Sequence, residues 1–298
     1  MLRLLALLIL LSPLSSHADD ASRPLSRFSD DPTKLRVMQW NILHGGRDDG
    51  KEEGPARVVE VIRDAKPDVV AMQETYGSGE LISKSLGFYF KPRGTNVSIL
   101  SRYPVVEDIS VYKEFCCVGA LLELPDKSRI AFYSVWLGYS KEIWEKGTRT
   151  GLGKEEILAA CKASEKDIAG ILSGIKERLA AESYAKVPIL ICGDFNSMSH
   201  LDYTAEAVGQ YGFEIRWPTS VAMAEAGFTD SYRQLHPAVN RAADRTWSPR
   251  FPEQEKDRID YIYYKGGSLK AEACSILEKH PVKFPSDHSA VVADLRVK

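Results

Sequence analysis

The stretch Ile189 to Ser197, ILICGDFNS, sends four apolar residues into Gly-Asp-Phe-Asn. On an extended backbone residues two apart face the same way, so Asp194 and Asn196 would present a carboxylate and an amide together while Phe195 turns into the packing. Such a pair at the mouth of a rigid strand could grip a water, a phosphate oxygen or a metal, although Gly, Asp and Asn are also ordinary turn residues. The same format recurs at Asn41 after LRVMQW, at Glu74 after VVAMQ, at Asp260 in RIDYIYY, and at Asp287 with His288 before AVVADL. Turn chemistry alone would scatter Gly, Ser and Pro equally, so repeated delivery of acids, amides and one imidazole points to a site.

The residue types narrow the chemistry. No GxSxG elbow supports acyl transfer, and no P-loop or GxGxxG supports a nucleotide cofactor. Carboxylates and amides with few imidazoles and no thiolate cluster suit a hard cation, Mg²⁺ or Mn²⁺. The five cysteines show no CxxC spacing, which argues against a structural zinc site, and Cys192 reads as a buried thiol within its strand.

The elements that must position these groups can be read along the chain. Arg3, the apolar run Leu4 to Leu11 and Ser16-His17-Ala18 form a signal-peptide pattern over residues 1–18, with cleavage expected after Ala18 and a secreted or periplasmic mature chain. Residues 19–33 read as a flexible leader, and 34–298 as one domain. Leu35 to Asn41, a helix carrying Val58, Val59, Ile62 and Ala65, and the PDVVAMQET strand imply a crossover unit with parallel strands. Asn96–Leu100, Val105–Tyr112, Val118–Leu124 and Arg129–Leu137 read as a meander. A long helix follows, over Ile157 to Leu179, with Gly170 and Gly174 as its weak points. Alternating and meandering strands with helices outside make the fold class α/β.

The set Trp40-Asn41, Gln73-Glu74-Thr75, GDFNS, RIDYI and SDHSAV, in this order, resembles the endonuclease/exonuclease/phosphatase (DNase I-like) superfamily. That group includes DNase I-like nucleases, apurinic endonucleases, neutral sphingomyelinases and inositol polyphosphate phosphatases. The resemblance implies a four-layer α/β sandwich, two mixed β-sheets flanked by helices, and a metal-dependent phosphoric ester hydrolase. It implies Glu74 as principal metal ligand with Asn41 as helper, Asp194 handling the attacking water, Asn196 on a phosphate oxygen, Asp260 and His288 as an acid–imidazole pair, and Asp287 near or on the metal. The stretches GDFNSMSHLDYT, WPTS, GFTDSYR and TWSP resemble a secreted bacterial branch.

One departure stands out. Where many members carry Thr-His-Leu, this chain has Val135-Trp136-Leu137, and an indole cannot transfer a proton. Tyr139, His44 and His200, in that order, are candidates for leaving-group or substrate contact, against a packing or capping role for each histidine, and Trp217, Arg233 and Trp247 could touch substrate, although aromatics beside proline more often pack in cores or turns. The expected partner is a phosphate-ester substrate. A balance of 39 basic to 41 acidic residues does not favour nucleic acid, a membrane lipid enters only as substrate, and no protein partner is expected. A catalytically weak anion-binding module on the same fold is the alternative, resting on Trp136.

Overall fold

The computed structural model describes residues 31–140, 143, 152–251 and 253–298. Residues 1–30, which hold the expected signal peptide and most of the leader, lie outside them, as do Trp144 and Arg149. The strands are β1 (Lys34–Asn41), β2 (Val69–Gln73), β3 (Tyr89–Arg93), β4 (Val97–Ser101), β5 (Val105–Asp108), β6 (Cys117–Glu123), β7 (Arg129–Trp136), β8 (Ile189–Asp194), β9 (Thr229–Asp230), β10 (Asp260–Lys265), β11 (Leu269–Leu277) and β12 (Ala290–Val297). The helices are α1 (Glu53–Ala65), α2 (Gly79–Leu86), α3 (Lys154–Ala160), α4 (Lys162–Arg178), α5 (Val208–Tyr211), α6 (Pro218–Glu225) and α7 (Ser231–Leu235).

Two mixed six-stranded sheets result, in the orders β11-β12-β1-β2-β4-β3 and β5-β6-β7-β8-β10-β9. Their facing sides bury Val37, Ala71, Ile99, Val118, Phe132, Leu190 and Ile262 in one core. The outer side of the first sheet packs its Met38, Trp40 and Met72 on Val58, Val59 and Ile62 of α1 and Ile82 of α2. The outer side of the second packs Tyr133 and Ile191 on Ile168, Ile171 and Ile175 of α4 and Met223 of α6. Helix, sheet, sheet and helix make the four layers, each burying the apolar face that its neighbour presents.

β1 and β2 run parallel on either side of α1, as the crossover reading requires. The meander reading is corrected: the strand near Asn96–Leu100 is β4, which pairs with β2 and β3 in the first sheet, whereas β5, β6 and β7 pair consecutively in the second. β-propensity fixed these segments as strands but carries no information about which sheet they join. The long helix is divided at Cys161 (φ −81°, ψ −3°), not at its glycines. Gly170 lies inside α4 because a β-carbon there would meet the Tyr112 ring at 2.2 Å, so it marks close packing. The edge strand β11, whose register slips between Ala271 and Ala273, and β3 were not legible.

The topology gathers the polar residues. β1, β2 and β8 deliver Asn41, Glu74 and Asp194 at or just past their C-terminal ends, and β10 and β12, antiparallel to β8 and β1, begin at that same edge. Asp260 therefore pairs directly with Asp194.

Candidate active site

β8 ends against β7, with Trp136 in register with Asp194. Gly193 is demanded here, because a β-carbon would lie 2.0 Å from the Val135 carbonyl oxygen. Asp194 is buried, and its Oδ1 accepts the Asn196 backbone N–H at 2.8 Å, closing a tight turn that leaves Asn196 at φ +45°. Phe195 packs on Tyr261 and Tyr263. The Asn196 amide donates one hydrogen to the Leu137 carbonyl at 2.9 Å. Its other hydrogen is uncommitted by that bond.

Across the strand pair, Asp260 Oδ2 meets His288 Nδ1 at 3.0 Å, and His288 Nε2 stands 3.8 Å from Asp194 Oδ2. His288 is held from several directions. Its carbonyl accepts the Trp40 indole N–H, its backbone N–H reaches Ser286 Oγ, and the Trp247 ring packs edgewise with a centroid separation of 4.8 Å. Burial acts to lower the imidazole's pKa, but the carboxylates of Asp260 and Asp194 outweigh it and hold His288 well above its ordinary value. Burial raises Asp194 above the usual carboxylate range, against the opposing pull of His288, with Asp260 adding to the rise.

The Asn41 amide nitrogen lies 3.1 Å from both Glu74 Oε1 and Asp194 Oδ2, while its oxygen accepts the Leu43 N–H. Glu74 sits at φ +54°, flanked by His44 at φ +48° and Tyr76 at φ +36°, a set of left-handed conformations of the kind that collects at functional sites. Asn96 enforces this turn: its oxygen accepts the Glu74 N–H and its amide donates to the Phe115 carbonyl.

These groups open into a cleft of about 830 Å³ lined by Glu74, Asp194, Asn196, Asp287 and His288 together with His44 and Tyr139. His200 is not part of that lining. It bonds to Ser220, and its backbone N–H reaches the same hydroxyl. Trp217 is fully buried, and Arg233 is spent on Asp202 and Asp244. Trp247 does line the cleft.

Sequence reasoning passed over several members of the site. Gln39 donates to Asp260 Oδ1, Thr246 Oγ1 accepts the N–H groups of Ile259 and Asp260, and Asp48 bonds His44 at 3.0 Å. Gln39 left a signal, a polar side chain between the apolar Met38 and Trp40 on the same side of the strand as Asn41. Asn96 and Thr246 left none, since each serves through contacts distant in sequence.

The donor set fits a divalent cation. Asp287 Oδ1 is buried with no hydrogen-bond partner among the described residues, and burial, joined by the charge of Glu74, raises its carboxyl against the pull of His288. A cation beside Asp287 and Glu74 would offset the cost of burying two acids that repel one another. Asp194, Asp260 and His288 also bring ligand-capable atoms within 4.8 Å of one another. In that trio, however, Asp260 is committed to His288 and Gln39, which favours Glu74 and Asp287 as ligands.

The family model for "Endonuclease/Exonuclease/phosphatase family" matches residues 38–140 and 172–288. The chain belongs to this family. The family depends on a divalent metal, and Asp194, Asp260 and His288 form a group that could hold one. An uncharacterized Caenorhabditis elegans protein is 30% identical over 287 residues, covering 87% of this chain and 90% of that one. Nocturnin of Rattus norvegicus is 21% identical over 311 residues, covering 87% of this chain and 65% of its own length. The catalytic domain of human Nocturnin with bound sulfate superposes with a TM-score of 0.60 at 19% identity, covering 89% of this chain and 95% of that domain. At that identity the likeness is one of fold.

Proposed function

We propose that the protein is a divalent-metal-dependent phosphoric ester hydrolase in which an activated water attacks phosphorus in line, on a phosphodiester or a phosphomonoester. The observation that carries this is the buried line Asp260–His288–Asp194 at the floor of a cleft whose rim holds Glu74 and Asp287. Asp194 takes the proton of the attacking water, a task suited to a carboxylate whose basicity burial has raised. Asp260 keeps the His288 imidazole protonated and correctly turned, so a positive charge faces the phosphoryl oxygens as negative charge grows on them. The free hydrogen of the Asn196 amide supplies a further donor, while Asn41 spends its amide on Glu74 and Asp194 and holds the two acids in place. Mg²⁺ or Mn²⁺ held by Glu74 and Asp287 would draw off phosphoryl oxygen charge.

The leaving group departs without help from Trp136. Among the remaining candidates, His44 lines the cleft and its hydrogen bond to Asp48 raises its pKa against the effect of burial, which suits it to deliver a proton. Tyr139 contributes contact surface. Export of the mature chain is part of the same reading, resting on the pattern in residues 1–18.

Turnover of bis-p-nitrophenyl phosphate with added Mg²⁺ or Mn²⁺ is the test. Activity that EDTA removes and metal restores, and that Asp194→Asn eliminates, is expected. Persistent inactivity with measurable phosphate binding would favour the anion-binding module instead.

A further inference from the structure

The cleft that holds the phosphate-directed groups also carries an unusual amount of aromatic surface. Trp136 stands edge-to-face with Tyr139 at 6.0 Å, and Phe115 meets the other side of Trp136 at 5.4 Å. Tyr139 and Phe115 remain 47% and 43% exposed, so a contiguous apolar strip runs out of the cleft rather than closing into a core. Tyr76 lines the same cleft as Tyr139 and Glu74, its ring 6.2 Å from that of His44, which joins the strip to the acidic floor. Trp247 and Phe251 line the cleft as well, their rings 6.2 Å apart. Aromatic faces left uncovered beside a polar floor are the arrangement expected of a seat for a flat ring.

The strip is fixed as firmly as the floor. Asn96 clamps the Glu74 backbone with its oxygen and the Phe115 carbonyl with its amide, so one side chain sets both the acid and the ring. Asp167 on α4 accepts the Gly138 N–H at 3.0 Å and thereby sets the chain beside Tyr139. The indole N–H of Trp136 is covered, so the ring meets the cleft through its carbon surface.

We infer that the strip Tyr76–Tyr139–Trp136 seats a planar ring of the substrate, so the preferred substrate is a small phosphate ester with an aromatic or heteroaromatic group next to its phosphate. This rests on the hydrolase reading and adds the substrate class to it. The ring stacks on Tyr139 and Trp136 while the phosphate reaches Asp194 and His288. An exposed strip of rings recognises by area, so it discriminates ring-bearing from alkyl esters.

The test compares bis-p-nitrophenyl phosphate with bis(2,2,2-trifluoroethyl) phosphate, which bear rings on both ester groups and on neither, so only the first can put a ring on the strip, whichever group leaves. The ratio of their kcat/KM values is expected to fall by about tenfold in Tyr139→Ala, the scale of one aromatic stack, and to recover in Tyr139→Phe. Electronic differences between the two esters are the same in every variant and cancel from that comparison. A ratio unchanged by Tyr139→Ala, or one that Tyr139→Phe fails to rescue while the fold melts normally, overturns the seat and leaves the hydrolase reading standing. Should neither ester turn over, the hydrolase reading fails, and calorimetry of p-nitrophenyl phosphate against methyl phosphate decides the seat alone. Tighter binding of the ring compound that Tyr139→Ala removes supports it, and equal binding overturns it.

Discussion

Gln39 Nε2 donates to Asp260 Oδ1 over 2.8 Å, and the two residues belong to different sheets. The same amide lies 3.1 Å from Gln73 Oε1, and the Gln73 amide continues to Ser134 Oγ, so a buried polar chain crosses the core beneath the Asp260–His288 pair. Asp260 is thereby oriented from the opposite sheet before it orients His288.

Replacing Gln39 by Leu leaves Asp260 Oδ1 buried without that donor. Loss of about 1–3 kcal/mol in denaturant unfolding is expected. A fall in kcat of roughly ten- to a hundredfold should accompany it, as for other changes that misorient a catalytic imidazole.

Asp260→Asn should reduce kcat on the order of a hundredfold or more with little change in KM, because the amide cannot hold the imidazolium charge. The double variant with His288→Ala should be scarcely worse than His288→Ala alone, as the two act as a unit. Independent, additive losses would show that they do not.

For Asp194 the sign follows from burial. Its folded-state carboxyl holds the proton above the usual carboxylate range, so the acid limb of the kcat/KM profile should lie above about pH 4, where an ordinary aspartate titrates. The unfolded chain gives up that proton first, so the group's contribution to stability declines as pH rises through the window between the two values. Asp194→Asn should therefore abolish turnover while keeping or raising Tm at neutral pH.

Asp287→Asn should raise the metal concentration needed for half-maximal activity by about ten- to a hundredfold. Metal added to the wild-type protein should raise Tm through preferential binding to the folded state, and that increment should shrink in the variant. An equal thermal shift in both would exclude Asp287 from the metal site.

Asp167 titrates the opposite way. Burial would raise its carboxyl, but donation from Lys113, Gly138 and Tyr112 outweighs it and holds the group below its ordinary value. Its contribution is present above the unfolded value and is lost as pH falls through the lowered folded one. Asp167→Ala should cost about 1–3 kcal/mol at pH 7, and the gap from wild type should close in acid unfolding below about pH 4.

The sequence by itself determined most of the strands, though not β3 or β11, that β1 and β2 flank a helix in parallel, and which polar residues stand at strand ends, because apolar runs and their terminators are local properties. Membership of the family followed from the order of those motifs, and the match over 38–140 and 172–288 bears it out. Only the tertiary structure decided that β4 leaves the meander for the first sheet, since sheet membership is set by packing across the core. It also separated His44 and Tyr139, which line the cleft, from His200, which is tied to Ser220. Proximity along the chain could not tell them apart. Gln39, Asn96 and Thr246 act through partners 221, 22 and 14 residues away, so their parts became visible only in the folded chain, Gln39 across the two sheets, Asn96 between neighbouring strands and Thr246 from a loop beside β10.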